Sequence, residues 1–208
     1  MIIRSLSIVL FKIFFRLDVL DRENIPAKGG FLLAGNHMSY LDPPLIAVAC
    51  PRAASFLAKE SLFSNKFFGG FIARLHAFPL KSHSPNMKAL RWAISELKAG
   101  KVIGIFPEGA RSADDRLHRP LPGVGLLAVK ANVPIVPVFI EGSNRALPVG
   151  SKFIRFFTKI RVYFGAPIYP KEVDNYLSKD FYERLAEKTM EAIAQLKNRA
   201  KNKEKRSG

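Results

Sequence analysis

The sequence predicts a single α/β domain whose sheet is mixed, mostly parallel and covered by helices. Short apolar runs bounded by turn residues are typical of buried strands, and segments with apolar residues at helical spacing lie between them. Residues 102–106 are apolar on both faces of the expected strand, as in a sheet covered on both sides. The length of 208 residues suits one domain with a core that needs neither disulfides nor metals.

The first sixteen residues are mostly apolar, but Arg4, Lys12 and Arg16 interrupt the run. A transmembrane helix needs roughly 20 consecutive apolar residues. A helix that lies in the membrane interface instead tolerates basic side chains, because they reach the lipid headgroups. We therefore predict that residues 1–16 form an amphipathic, membrane-associating helix, and a core helix with a few exposed charges is the alternative.

The next segment, residues 17–196, supplies the elements of the domain. Strands are predicted at residues 17–21, 31–34, 54–58, 77–80, 102–106, 135–140 and 160–165. Helices are predicted at residues 43–49, 87–97 and 123–131, with a closing helix from about residue 177. Because proline cannot donate to a sheet ladder, Pro134 and Pro137 predict an edge or irregular strand at residues 135–140.

Two further segments have distinctive compositions. Residues 60–75 carry an aromatic band that fits either the core or a groove for an apolar chain, since both use the same residue types. Residues 197–208 form a basic tail, which we expect to be frayed and solvated. Beside an anionic membrane, each basic residue near the surface would add about 1 kcal/mol of attraction.

The charge of the chain restricts its partners. Lysine and arginine number 33 against 17 acidic residues, a net charge of +16 that attracts polyanions. A content of 17 phenylalanines and 48% hydrophobic residues favours an anionic membrane surface over nucleic acid, and the sequence carries no nucleic-acid-binding motif. The single cysteine, Cys50, excludes an internal disulfide and a cysteine cluster for zinc, so we expect no metal and a location on the cytoplasmic side.

A candidate catalytic pair follows the strand at residues 31–34. His37 stands at the end of the strand, and Asp42 precedes Pro43, so Asp42 is expected to be the N-cap of the next helix. The turn between them can fold Asp42 back toward His37. A carboxylate on one imidazole nitrogen fixes the tautomer and leaves the other nitrogen able to take a proton. The alternatives are a simple helix cap and a histidine satisfied at a strand end.

A second polar cluster, residues 106–112, follows the strand at residues 102–106. It contains Glu108, Gly109 and Arg111. In open α/β sheets, ligands bind outside the carboxyl ends of the strands, so we expect this cluster to lie close to His37. The alternative is a surface Glu–Arg pair in a loop.

These motifs together resemble those of the 1-acylglycerol-3-phosphate acyltransferases and related glycerolipid acyltransferases, over residues 17–170. The first family motif is similar to residues 36–43, the third to residues 106–112 and the fourth to residues 133–138. The second motif resembles residues 78–82, but Ser82 stands where the family usually has arginine. The resemblance implies a glycerol-phosphate-acyltransferase-like fold over residues 17–196.

The resemblance implies transfer of an acyl chain from a thioester to the free hydroxyl of 1-acylglycerol-3-phosphate, which makes phosphatidic acid. His37, oriented by Asp42, would be the general base. The resemblance assigns the acceptor to the second and third motifs, which here hold Lys81, Ser82, Glu108, Gly109 and Arg111. Arg111 can pair with a phosphate through two donors, and Glu108 can bond the acceptor or hold Arg111. Lys81 or Arg74 is a candidate replacement for the arginine missing at residue 82.

The basic surface suits an anionic donor, either acyl-CoA or acyl carrier protein, and no cofactor is expected. A covalent route through Ser39 or Cys50 is conceivable, but neither has a second base of its own. Two other functions remain open: acylation of another hydroxyl-bearing lysolipid, and a non-catalytic, basic membrane-binding protein of the same fold. In each case we expect the protein to be membrane-associated at the cytoplasmic face.

Overall fold

A computed structural model describes residues 2–59, 78–80, 87–173, 178 and 180–207. The helices are α1 (Ile2–Phe15), α2 (Asp42–Ala49), α3 (Met87–Lys98), α4 (Gly123–Ala131), α5 (Ser143–Ala146) and α6 (Phe181–Ser207). The strands are β1 (Asp18–Leu20), β2 (Phe31–Gly35), β3 (Ala54–Lys59), β4 (Phe78–Leu80), β5 (Val102–Ile105), β6 (Ile135–Glu141) and β7 (Arg161–Phe164). Short 3-10 turns at Arg22–Asn24 and Pro170–Glu172 complete the described elements.

The strands form one sheet in the order β1-β7-β6-β2-β5-β3-β4. All neighbours are parallel except β6 and β7, which are antiparallel. The predicted mixed, mostly parallel α/β fold is therefore confirmed, and each predicted strand is present within about two residues of its expected ends. The aromatic band at residues 60–75 lies outside the described residues.

The sheet is covered on both faces because side chains alternate along each strand. On β2, Phe31 and Leu33 face a core shared with α2, whereas Leu32 and Ala34 face a core shared with α3, α4 and α6. Both faces of β2 are buried at every residue. This double burial explains why β2 and β5 consist of continuous apolar residues and not of alternating ones.

The connections that follow β2 and β5 leave in opposite directions. The chain runs from β2 through α2 toward β3, whereas from β5 it runs through α4 back to β6, on the other face of the sheet. Such a reversal opens a crevice outside the carboxyl ends of the two strands. Both predicted polar clusters follow these two strands.

The prediction for β6 was an edge or an irregular strand, and the edge position was wrong, because β6 is an interior strand. It lies between β2 and β7. Pro137 is tolerated because its partner position is Gly165, one residue beyond the end of β7, where the Gly165 N–H donates to the Pro137 carbonyl at 2.8 Å. Proline has no N–H to return a bond to Gly165, and this loss falls just before the ladder with β7, which begins at Val138.

The predicted fraying of the basic tail was also wrong, since α6 continues to Ser207. Lys197 lies 3.5 Å from a carboxylate oxygen of Asp115, and Arg199 forms an ion pair with Asp21. These contacts attach the helix at residues 197–199 to two loops of the domain, and the helix continues about two turns beyond them.

The predicted N-terminal helix is present as α1, and it combines two environments. Phe15 is buried and Phe11 is half-buried against the core on the α2 side of the sheet, with their ring centroids 5.4 Å apart. Val9, Leu10, Ile13 and Phe14 are exposed. Among the described residues, no helix is both long enough and apolar enough to cross a bilayer.

Candidate active site

The register of β2 and β5 places the two polar clusters side by side. Ala34 pairs with Ile105 in the parallel ladder. His37 and Glu108 each follow these paired residues by three positions, at the same edge of the sheet. The Ser112 N–H donates to the His37 carbonyl at 2.7 Å, and this bond joins the two clusters directly. The expected convergence of the clusters is confirmed.

The contact between His37 and Asp42 is the centre of the site. Nδ1 of His37 lies 2.9 Å from Oδ2 of Asp42. The same oxygen accepts the backbone N–H groups of Met38 at 2.6 Å and Ser39 at 2.7 Å. The Asp42 side chain is fully buried, whereas 17% of the His37 side chain is exposed. The carboxylate therefore holds Nδ1, and Nε2 is the ring nitrogen left for a substrate.

Asp42 was predicted to be the N-cap of the following helix, and this was wrong by one residue. Leu41 occupies the cap position, and Asp42 is the first residue of α2, before Pro43. The reason is visible in its hydrogen bonds. Its Oδ2 atom accepts from the turn at residues 38–39 and contacts His37, whereas Oδ1 has no partner among the described residues, so the side chain caps none of the amides of its own helix.

Ser39 also stabilises the turn between His37 and Asp42. Its hydroxyl donates to the Leu147 carbonyl at 2.9 Å and accepts the Leu41 N–H at 3.1 Å. The residue is fully buried, as is Cys50 at the end of α2. A hydroxyl so engaged and a thiol so buried are poorly placed as nucleophiles, which favours direct attack by the substrate over a covalent intermediate.

Glu108 fixes the backbone of the site. One carboxylate oxygen accepts the His37 N–H at 3.1 Å, and the other accepts the His118 N–H at 2.9 Å. Burial raises the pKa of Glu108 above its ordinary value, and the two backbone hydrogen bonds oppose that rise. The carboxylate thus joins the two clusters at the position of the candidate base. This positioning contact was not anticipated from the sequence.

A pair between Arg111 and Glu108 was one of the alternatives predicted from the sequence, but the two side chains do not pair. Its guanidinium carbon lies 3.5 Å from the ring centroid of Tyr40, in a cation–π contact. Arg111 is half-buried and Tyr40 is exposed. The two residues come from different clusters, so the stacking holds a positive charge beside the turn that carries His37.

Gly109 gives the second cluster its shape. Its φ of +70° lies in the left-handed region, which side chains other than glycine rarely adopt. Its N–H donates to the Phe106 carbonyl at 3.0 Å and closes a tight turn directly after β5. The turn directs Glu108 inward and leaves Gly109 exposed.

The sequence did not single out two further residues of the site. The ring of Phe106 stacks on the imidazole of His37, with centroids 3.9 Å apart and planes 16° apart. The Asn36 amide donates to the Ile140 carbonyl at 3.1 Å and accepts the Ile140 N–H at 2.7 Å, so it extends the pairing of β2 with β6 beyond the strand end. Both residues stand inside the quoted motifs, but their partners are distant in sequence.

Lys81, Ser82 and Arg74 lie outside the described residues, so the second motif is represented only by Phe78–Leu80. Within the described ranges, no group of three His, Cys, Asp or Glu side chains is arranged to hold a metal ion.

Comparison with known proteins gives a consistent result. A family model described as Acyltransferase matches residues 16–141. A 1-acyl-sn-glycerol-3-phosphate acyltransferase of Bacillus subtilis is 30% identical over 185 residues, which cover 88% of this chain and 89% of that protein. Another, from Streptococcus pneumoniae, is 30% identical over 151 residues, or 71% of this chain and 54% of the relative. This chain therefore spans about half the length of the second relative.

Among solved structures, the crystal structure of the 1-acyl-sn-glycerophosphate (LPA) acyltransferase from Thermotoga maritima is similar to this chain, with a TM-score of 0.75. The two chains are 30% identical, and the match covers 94% of this chain and 78% of the other.

Proposed function

The chain belongs to the acyltransferase family, and from this premise we propose that it transfers an acyl chain from a thioester to the free hydroxyl of 1-acylglycerol-3-phosphate, with His37 as the general base. The product is phosphatidic acid. The donor is acyl-CoA or an acyl carrier protein, since the net charge of +16 attracts either of these anionic partners.

The observation that carries the proposal is the contact between Nδ1 of His37 and Asp42 at the carboxyl end of β2. Asp42 fixes the neutral tautomer with its proton on Nδ1, so Nε2 can accept a proton. The acceptor hydroxyl gives its proton to Nε2 while its oxygen forms a bond to the thioester carbonyl carbon. The tetrahedral intermediate then expels the thiolate as the C–S bond breaks, and the imidazolium returns the proton to sulfur.

Rigidity of the base supports this mechanism. The imidazole is held at Nδ1 by Asp42 and stacked on Phe106, and its own backbone N–H is bonded to Glu108. A base fixed in this way needs little reorganisation to meet a hydroxyl placed in the crevice. Arg111, on the neighbouring turn, supplies a charge that can leave the Tyr40 ring for the acceptor phosphate.

Association with the cytoplasmic face of the membrane belongs to the same proposal, because the acceptor is itself a membrane lipid. The exposed apolar side of α1 and the exposed Lys12 are suited to an anionic interface. In this proposal the protein attaches from one side of the membrane.

The test is thioester turnover by the purified protein with lysophosphatidic acid as acceptor and acyl-CoA or acyl carrier protein as donor. We expect thiol release that depends on the acceptor, with phosphatidic acid as the lipid product. Thiol release without an acceptor would indicate hydrolysis instead. Turnover with lysophosphatidylglycerol but not lysophosphatidic acid would assign another lysolipid as acceptor, and no turnover with either donor would favour a non-catalytic membrane-binding protein.

A further inference from the structure

A second exposed apolar segment lies beside α1 and has no role in the mechanism above. We use the name docking surface for the exposed side of α1 from residue 9 together with the loop at residues 149–159. Its large exposed apolar side chains are Val9, Leu10, Ile13, Phe14, Val149, Phe153, Ile154, Phe156 and Phe157. Phe153 is 83% exposed, the highest value among the large hydrophobic residues whose side chains are described. Soluble surfaces rarely gather so many large apolar groups in one place.

The loop is attached to α1 by defined contacts. The ring of Phe156 lies 5.2 Å from that of Phe14 and 6.1 Å from that of Phe15, measured between centroids. The N–H groups of Phe157 and Ile160 donate to the carbonyls of Phe14 and Phe15, which end the helix. The two segments therefore form one continuous surface and not two separate ones.

The charges around this surface are mostly positive, and the exception is Asp18, whose carboxylate lies 3.5 Å from Nζ of Lys159. Lys12, Lys152, Arg155 and Lys159 are exposed among the apolar residues, and the sequence has no acidic residue between Glu141 and Glu172. A shallow depression of about 410 Å³ where α1 meets the loop is lined by Lys12, Arg16, Leu17, Asp18 and Lys159. Apolar side chains interspersed with cations match a bilayer interface with anionic headgroups, and basic side chains near such a surface each add about 1 kcal/mol of attraction.

The docking surface also adjoins the candidate active site. Leu147, two residues before the loop, accepts the hydrogen bond from Ser39, and Ser39 lies in the turn between His37 and Asp42. The Arg155 N–H in turn donates to the Ala146 carbonyl at 2.8 Å. A bilayer that covers the docking surface would consequently lie next to the catalytic turn.

We propose that the loop at residues 149–159 is a second membrane-insertion element, which enters an anionic lipid bilayer together with α1 and brings the site to its lipid acceptor. This inference rests on the proposed function for the identity of the acceptor. The side chains of Phe153 and Phe157 enter the acyl-chain boundary, while Lys152, Arg155 and Lys159 contact headgroup phosphates. Because Phe11 and Phe15 of α1 pack into the core, the helix alone offers only one side to lipid.

Point substitutions test the loop better than deletion of α1, which would remove the buried Phe15 from the core. The experiment measures co-sedimentation of the full chain with vesicles of phosphatidylcholine, with and without phosphatidylglycerol, in the absence of substrate. We expect Phe153→Ser to weaken binding on the order of ten-fold, since it removes a large apolar side chain from the bilayer. Tyr169→Ser is the matched control. Tyr169 is an exposed aromatic residue that follows Ile168, and Ile168 pairs with Ile135, the first residue of β6. Tyr169 is therefore near the start of β6, at the end opposite to the one near the docking surface.

Insertion itself is measured by fluorescence. Trp92 is the only tryptophan of the chain. Trp92→Phe therefore removes the native tryptophan fluorescence, and the signal then comes from Phe153→Trp or Tyr169→Trp alone. On addition of anionic vesicles, we expect a blue shift and quenching by brominated acyl chains for Phe153→Trp but not for Tyr169→Trp. Turnover of a short-chain acceptor dispersed in detergent should be unchanged by Phe153→Ser, which separates loss of docking from loss of catalysis.

The proposal is overturned if Phe153→Ser binds vesicles as the unmodified protein does, or if Phe153→Trp shows no quenching. It is also overturned if the unmodified protein does not bind vesicles but forms a dimer that Phe153→Ser dissociates, since a second copy would then cover the surface. Absence of turnover in the unmodified protein, with vesicle binding and quenching as expected, would count against the proposed function alone.

Discussion

The turn that carries His37 and the turn that carries Arg111 both follow interior strands and lie at one edge of the sheet, but they are built differently. In the first, Asp42 and Ser39 are fully buried and tie the turn with hydrogen bonds of 2.6–3.1 Å. In the second, Glu108 is buried while Arg111 is half-buried and stacked on Tyr40. A base needs a fixed position, whereas a phosphate-binding group can move to its ligand.

The largest effect that tests this contrast is expected for His37→Ala, which removes the proposed base from the fixed turn. General-base catalysis supplies roughly 10² to 10⁴-fold, so kcat should fall by at least that order. The measurement is steady-state thioester turnover. His118→Ala is the matched control: its ring contacts Ser112 and Asp114, and Glu108 contacts only its backbone N–H, so turnover should fall far less than for His37→Ala. A His37→Ala protein within a few-fold of the unmodified enzyme would remove His37 as the base.

The next effect is expected for Asp42→Asn, which keeps the shape of the turn and changes its charge. Oδ1 of Asp42 is buried and has no hydrogen-bond partner among the described residues, so an amide nitrogen placed there breaks no described contact but gains no acceptor either. We expect kcat to fall on the order of 10²-fold, because the amide oxygen still accepts the Nδ1 proton but the neutral amide no longer stabilises the imidazolium that forms in the reaction. The midpoint of thermal unfolding should fall only modestly, since the buried amide nitrogen has no partner. A large drop in that midpoint would mean that the carboxylate acts mainly in holding the turn.

A smaller effect, in KM and not in kcat, is expected for Arg111→Ala. A charge-assisted contact contributes about 1.5 to 3 kcal/mol, which corresponds to roughly 10 to 100-fold in KM for lysophosphatidic acid. A neutral monoacylglycerol serves as the control acceptor, and its KM should not change. Arg111→Lys keeps the charge but loses the two-pronged geometry. Its KM for lysophosphatidic acid should therefore lie between those of the unmodified protein and Arg111→Ala. Equal changes for both acceptors would exclude Arg111 as a phosphate contact.

The smallest effect is expected for Glu108→Gln, and it concerns stability. The amide nitrogen of the variant is a donor and faces one of the two backbone N–H groups, so one hydrogen bond is lost. This loss should lower the free energy of unfolding by about 1 kcal/mol. Because the folded pKa of Glu108 is raised above 4.5, the folded protein holds that proton more tightly than the unfolded chain does. The contribution of this proton to the free energy of unfolding is therefore full below about pH 4.5, and it is lost as pH rises through the raised pKa of Glu108.

Thermal unfolding of both proteins across this pH range measures the difference. The advantage of the unmodified protein over Glu108→Gln should narrow as pH rises toward neutrality. A difference that widens with rising pH would show that the folded state favours the ionised carboxylate and that burial is not its dominant influence.

Features that depend on nearby residues were the ones that the sequence predicted well. Apolar runs and the residues that follow them located the strands, and the spacing of His37 and Asp42 predicted their contact. The hydrogen bond from His37 to Glu108 joins residues 71 positions apart, and its presence depends on the register of β2 against β5. The interior position of Pro137 likewise depends on where its partner strand ends. No local pattern contains that information.

The burial of Cys50 has a practical consequence for measuring this chemistry. It is the only cysteine of the chain, and none of its surface is exposed at the end of α2. Both expected donors release a thiol for each acyl group transferred. A colorimetric thiol reagent should thus react with the released product while the folded enzyme gives little background, and a continuous assay can proceed without alkylating the protein beforehand.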